Sequence, residues 1–368
     1  MFETSRLSHA FLGSLFVLCV AGSCVRGQAD SRHLVSPELL RQVGLEIVWD
    51  NELPIRKAEK LKKLQIVGKR VYALSSRNYL MSLDRKTGKN VFSKYAAPVG
   101  QPVAEPVLYE DELISVLGNR LVEMSERTGE KLRVVQLEYG ITCPPARNKQ
   151  FLYLSGVDRR LHVLKESNRV QVFEVAADNN SMINSIIAAD DFVVFGTDAG
   201  NVIRMQPDKP VRLWQFDAAG GIAGRLVLDG ASLFFASRDT NVYRVGLENG
   251  KLAWKYQVAG IPKKAPRVTK AVVYQYIRKK GVTAIDKRRG VLLWTVPDGL
   301  ELLAEAKGKA YVMTENKTLV VMDNATAKRQ YSIPFEQVSR YACNTVDSKI
   351  YVGDDRGRIA CIQAIERK

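Results

Sequence analysis

The chain has 368 residues, 46% hydrophobic and 26% charged, with 55 Lys and Arg against 39 Asp and Glu for a formal net charge of +16. That apolar content excludes an intrinsically disordered chain, and the length permits a large core. Three scattered histidines and five cysteines without CxxC spacing exclude a histidine-rich metal cluster and a disulfide framework.

Residues 1–29 read as an export signal: an apolar run from Leu12 to Ala21 follows Arg6 and His9, and small residues come after it. The run falls short of the about 20 residues that span a bilayer, and no later stretch approaches that length. Cleavage after Ala29 in "GQA" competes with processing at "AGSC", where Cys24 resembles a bacterial lipoprotein box and is a candidate for lipidation. Both routes predict an exported chain, periplasmic or attached to the outer membrane. The remaining cysteines, Cys143, Cys343 and Cys361, are expected to be buried free thiols.

In residues 30–43, "SPELLRQVG" predicts one short helix with Ser36 as cap, Pro37 in the first turn and Gly44 as stop. An orphan strand follows, "GLEIVWDNELP", carrying Trp49. Thereafter an apolar pair recurs, ending at Tyr72, Ile114, Tyr153, Val194, Phe234, Val273, Tyr311 and Tyr351, at intervals of 42, 39, 41, 40, 39, 38 and 40 residues. A period near 40 with several short strands per unit is that of a propeller blade, and there are eight units. Each pair is followed by a polar turn and an alternating strand such as "YLMSLD" or "NVYRV", read as half-buried. Next comes a turn of the type "LDRKTGK", "SERTGEK", "LENGK" or "IDKRRG", then an outer strand that often carries an aromatic: Phe92, Trp214, Trp254 or Trp294. The glycine supplies the turn, and the aromatic is expected to wedge between neighbouring blades.

The eighth unit stops at "RIACIQAIERK" without a fourth strand, and the orphan strand with Trp49 supplies one. Closing the ring this way removes an unpaired edge. The expectation for residues 44–366 is a single all-β domain, an eight-bladed β-propeller of four-stranded antiparallel blades whose last blade is closed by the N-terminal strand.

The phrases "VYALSSRNYLMSLDRKTGKNVF", "LFFASRDTNVYRVGLENGKLAWKYQV" and "IYVGDDRGRIACIQ" resemble the repeats of the quinoprotein (pyrroloquinoline-quinone)-like propeller family. The resemblance covers essentially all of the chain beyond the signal and implies eight blades. It does not imply the cofactor, because the family holds both quinone-dependent dehydrogenases and non-catalytic members such as the lipoprotein of the outer-membrane barrel-assembly machinery. The dehydrogenases pair two adjacent cysteines with a Trp around the quinone, beside an Asp base and a calcium held by Glu and Asn. Here no two cysteines adjoin, and all four tryptophans fall at outer-strand positions. No nucleophile motif or phosphate loop is present either, so no catalytic, cofactor-binding or metal residue is assigned and no cofactor is expected. A quinone-dependent oxidoreductase is the alternative from another class, and a carbohydrate- or polyanion-binding propeller is a third.

Charge is the remaining signal. Without residues 1–29 the balance is 53 minus 38, or +15, and residues 261–290 hold ten Lys and Arg against Asp286 alone. A second cluster, "IRKAEKLKK" from Ile55, has five bases and one acid. Strand parity assigns Arg56, Lys57, Lys263, Lys264, Arg278, Lys279 and Lys280 to one face and Lys287, Arg288 and Arg289 to the other. The first group is the candidate contact for an anionic envelope polymer, lipid or acidic protein face, against the plainer reading of solubilising loop tips. The reading is thus an exported, non-enzymatic, monomeric scaffold whose partners are envelope proteins, a β-barrel assembly component among them, and not nucleic acid.

Overall fold

Eight four-stranded antiparallel sheets account for nearly all of residues 33–366, which the computed structural model describes. Residues 1–29, read above as an export signal, and Cys24 within them lie outside the described residues. Blades 1 to 7 occupy residues 61–95, 107–136, 146–176, 183–217, 222–257, 267–296 and 299–334, each with its strands paired in chain order from the axis outward. Blade 8 is composite: Arg340–Ala342, Ile350–Gly353 and Arg358–Ala364 are followed by Leu45–Glu52 as the fourth strand. The closing register runs from Leu45 opposite Ala364 to Glu52 opposite Arg358. The expected eight-bladed propeller with N-terminal closure is therefore the fold.

Before the closing strand, Pro37–Gln42 forms a helix whose Ser36 hydroxyl accepts from the Leu39 N–H at 3.5 Å. Gly44 ends it at φ +73°, and its carbonyl accepts from Ile365 N–H at 2.8 Å. Leu34, Val35 and Leu40 join the apolar cluster of blades 7 and 8, with Leu303, Phe335 and Val338.

One expectation about strand burial is corrected. The alternating third strands are not half-buried: Asn201–Met205 is buried throughout, and Tyr79–Asp84 is buried except at its two ends. Neighbouring blades cover both faces of these middle strands, so their polar residues, such as Ser82 and Arg204, are buried as well. Alternation with a wet face belongs to the fourth strands, as in Lys131–Gln136 and Gln171–Ala176.

The repeated turn and its aromatic form one joint. At four joints the aromatic of one blade lies on the motif glycine of the next: Trp49 on Gly88, Phe92 on Gly129, Trp214 on Gly250 and Trp254 on Gly290. These glycines have φ between +65° and +71°, and a Cβ there would stand 2.5–2.7 Å from the ring. Glycine thus meets two demands at once, a left-handed turn and a face flat enough to receive an indole. The indole N–H groups of Trp49, Trp214 and Trp254 donate to the carbonyls of Arg85, Leu247 and Lys287 at 3.1, 2.8 and 2.9 Å, so the three tryptophan joints are also hydrogen-bonded.

Candidate functional site

The basic residues singled out by the sequence fall into three structural situations. Arg56 and Lys57 are exposed in the segment between the closing strand and blade 1, and Lys263 is exposed in the segment entering blade 6. Arg278, Lys279 and Lys280 are exposed in the turn joining Val272–Ile277 to Gly281–Asp286. Antiparallel pairing puts that turn at the end of the sheet where the chain enters blade 6. None of these six side chains has an ion-pair partner among the described residues.

Lys264 differs. Its Nζ lies 3.3 Å from Glu301 and 4.8 Å from the centre of the Tyr276 ring. Its charge is directed to neighbouring inner segments. Lys287, Arg288 and Arg289, in the turn at the opposite end of the same sheet, are largely committed to structure. Lys287 is paired with Asp229 and donates to the Thr269 carbonyl, while Arg289 lies 3.4 Å from Asp286. The Arg288 and Arg289 N–H groups donate to the Asp286 carboxylate at 3.0 and 2.7 Å.

Sequence reading counted Lys62, Lys63 and Arg267 within the basic clusters but did not place them at the axis with Glu105, Arg225, Glu301 and Arg340. The first strands surround a cavity of about 450 Å³ whose wall includes Lys63, Glu105, Arg225, Arg267, Glu301 and Arg340. Arg225 also borders a second cavity of about 370 Å³, walled by residues of blades 2 to 4 and the Pro144–Pro145 segment. A bulge between Ala223 and Val227 places Arg225 there. Gly224 at φ +79° makes the bulge possible, since a Cβ would meet the backbone of Ala265 at 2.5 Å.

Two carboxylates organise the axial cations. Glu105 pairs with Lys63 and, at 2.5 Å, with Arg225. Burial opposes its ionisation, but Lys63, Arg225 and Arg267 hold its carboxyl below the usual carboxylate range. Glu301 accepts from Arg267 through both oxygens at 3.0 and 3.2 Å and from Lys264. Arg340 pairs instead with Asp355 at 3.0 Å.

The thiols are not activated. Burial pushes Cys343, at the cavity wall, up to about 12 despite nearby Arg267, and it pushes Cys143 up to about 11. The chemistry on offer at the axis is therefore charge recognition. The four tryptophans do not line the axial cavity; they are held at blade joints, so the stacking partner of a quinone is not supplied there.

Comparison with known proteins agrees with this architecture. BamB from Moraxella catarrhalis is similar over 88% of this chain and 99% of its own, with a TM-score of 0.67 at 13% identity. The computationally designed Ika8 protein is similar over 84% of this chain and 98% of its own, with a TM-score of 0.65 at 15% identity. The C-terminal WD40 domain of Sif2 reaches a TM-score of 0.64 at 11% identity, over 87% and 98%. At such identities the likeness is one of fold. No curated protein matches by sequence. A family model described as outer membrane protein assembly factor BamB matches residues 45–209 and 198–328, well over half of the chain. On that match, and with the repeats that first suggested it, the chain belongs to the outer membrane protein assembly factor BamB family of propellers.

Proposed function

We propose that the protein is an exported, non-enzymatic scaffold of a bacterial envelope that takes part in outer-membrane protein assembly. The observation that carries this reading is the family match across blades 1 to 7. The unpaired basic loops support an electrostatic contact with an anionic partner: Arg56, Lys57, Lys263, Arg278, Lys279 and Lys280 share one end of their blades by strand parity, with Lys264 beside them. Export by residues 1–29, with or without lipidation of Cys24, fits a periplasmic or outer-membrane-attached place of work. Protonated thiols and the absence of an assigned nucleophile fit a binding role.

The test is genetic and physical together. Deleting the gene should lower the outer-membrane content of β-barrel proteins, and the wild-type chain should restore it. A chain with Lys263, Arg278, Lys279 and Lys280 replaced by Gln should restore less, and should be retained less on lipopolysaccharide as salt rises through a Debye length of about 8 Å. The Lys287, Arg288, Arg289 variant is the control. Unchanged barrel content in the deletion would overturn the assembly role, and equal loss of retention in both variants would overturn the assignment to one face.

A further inference from the structure

The axial cavity carries an excess of positive charge that the protein itself does not answer. Its wall places Lys62, Lys63, Arg225, Arg267 and Arg340 against Glu105 and Glu301. Arg340 is matched by Asp355. Each of the two glutamates is shared by two cations: Lys63 and Arg225 on Glu105, Lys264 and Arg267 on Glu301. Each trio keeps one net positive charge, and Lys62, exposed, has no partner among the described residues.

The donors are as unbalanced as the charges. Arg225 makes one hydrogen bond, to Glu105, and Arg267 makes two, both to Glu301. A guanidinium carries five N–H donors, and no other acceptor among the described residues meets either one. Side-chain exposures of 46% and 36% for the two arginines keep those donors reachable. The wall also includes Leu64, Ile66, Tyr341 and Ala342, but it is mainly polar, and a concavity lined by an excess of one sign of charge raises the local concentration of counter-ions. Forked guanidinium donors match the paired oxygens of phosphate and carboxylate groups.

We infer that the axial cavity is a binding site for a small molecule bearing at least two negative charges, held chiefly by Arg225 and Arg267 with Lys62 and Lys63 beside them. Its volume of about 450 Å³ suits a compact polyanion and not a polymer. This site is separate from the outer basic loops, and it stands or falls independently of the assembly role.

The experiment titrates the full chain calorimetrically with inorganic pyrophosphate and, in parallel, with citrate. Saturable binding of one equivalent is expected for at least one probe, weakening as salt rises. Pyrophosphate alone would identify a phosphate ligand and citrate alone a polycarboxylate. R225Q/R267Q should weaken the binding at least about tenfold, while K287Q/R288Q/R289Q should stay within about twofold of wild type. Absence of saturable heat with both probes, or equal losses in the two variants, would overturn the site. Should R225Q/R267Q fail to fold, E105Q provides the second test. It releases Lys63 and Arg225 from their shared carboxylate and should tighten binding, and unchanged or weaker binding would overturn the site.

Discussion

At the scale of single residues, the repeated turn explains its own spelling. Asp84 accepts from the N–H groups of Lys86 and Thr87 at 3.1 and 2.9 Å, and Asp323 accepts from Ala325 and Thr326 at 2.9 Å each. Burial opposes ionisation of Asp84 and Asp286, but these hydrogen bonds outweigh it; at Asp323 the Thr326 N–H leads, and all three carboxyls lie below their usual value. A group whose folded value is depressed contributes stability above its unfolded value, near 3.9, and loses it as pH falls through the folded one. Replacing Asp84, Asp286 and Asp323 by Asn should therefore flatten the decline of urea midpoints below about pH 4 while lowering them at neutral pH. The motif glycine makes a second prediction. Ala327 occupies that position in blade 7 at φ +58° and is exposed, so Ala327→Gly should stabilise by up to about 1 kcal/mol in urea unfolding. Gly250→Ala, which drives a Cβ to 2.7 Å from Trp214, should destabilise by more than about 1 kcal/mol.

Between elements, the joint of blades 2 and 3 replaces the aromatic-on-glycine pattern with charged residues. Blade 2 has Arg133 opposite Glu123 where blade 4 has Trp214 opposite Arg204, and blade 3 has Arg169 at φ +60° in the glycine position. The Arg169 guanidinium bonds Glu123 at 2.5 and 2.8 Å, with side-chain exposures of only 4% and 3%. Glu166 and Arg147 extend the network. Removing Arg169 strips buried Glu123 of its hydrogen-bonded partner and leaves only Arg133 at 3.8 Å, so Arg169→Met should cost about 3 kcal/mol in urea unfolding. Replacing the set by the pattern of the other joints, with Arg133→Trp, Arg169→Gly and Glu123→Ala, should recover stability to within about 1 kcal/mol of wild type, because ion pairs and packed apolar groups of similar volume are often equivalent. A swap no more stable than Arg169→Met would refute the equivalence of the two joints.

Across the whole molecule, closure rests on few residues. Among the described residues, Leu45–Glu52 is the only strand paired to the outer edge of Arg358–Ala364 in blade 8, and its Trp49 reaches blade 1 through Gly88 and the Arg85 carbonyl. It joins the two ends of the ring both within a sheet and between sheets. Deleting residues 44–54 should open blade 8, expose a strand edge and abolish cooperative unfolding, with aggregation seen by size-exclusion chromatography. A monomeric truncated chain with an unchanged urea transition would contradict this account of closure.

The repeat, its period, the count of blades and the completing strand were legible in sequence because each blade repeats one turn chemistry at a nearly constant interval, and a left-handed glycine beside an aromatic leaves a readable mark. The lone Trp49 strand was legible for the same reason, as an aromatic with a fragment but no blade. The departure at Arg133 and Arg169 was not, since an arginine on an outer strand reads as solvent-facing until a buried glutamate of the same blade, shared with an arginine of the next, is known to meet it. Burial of the third strands was likewise decided by tertiary structure, which covers both of their faces. Least visible was the axis. Its first strands are short or bulged, down to Ala146–Arg147 and Arg267–Val268, too brief for a period-2 pattern. Lys63, Glu105, Arg225, Arg267 and Glu301 are scattered along the chain. Only closure of the ring brings such distant residues around one cavity, where their charges act together.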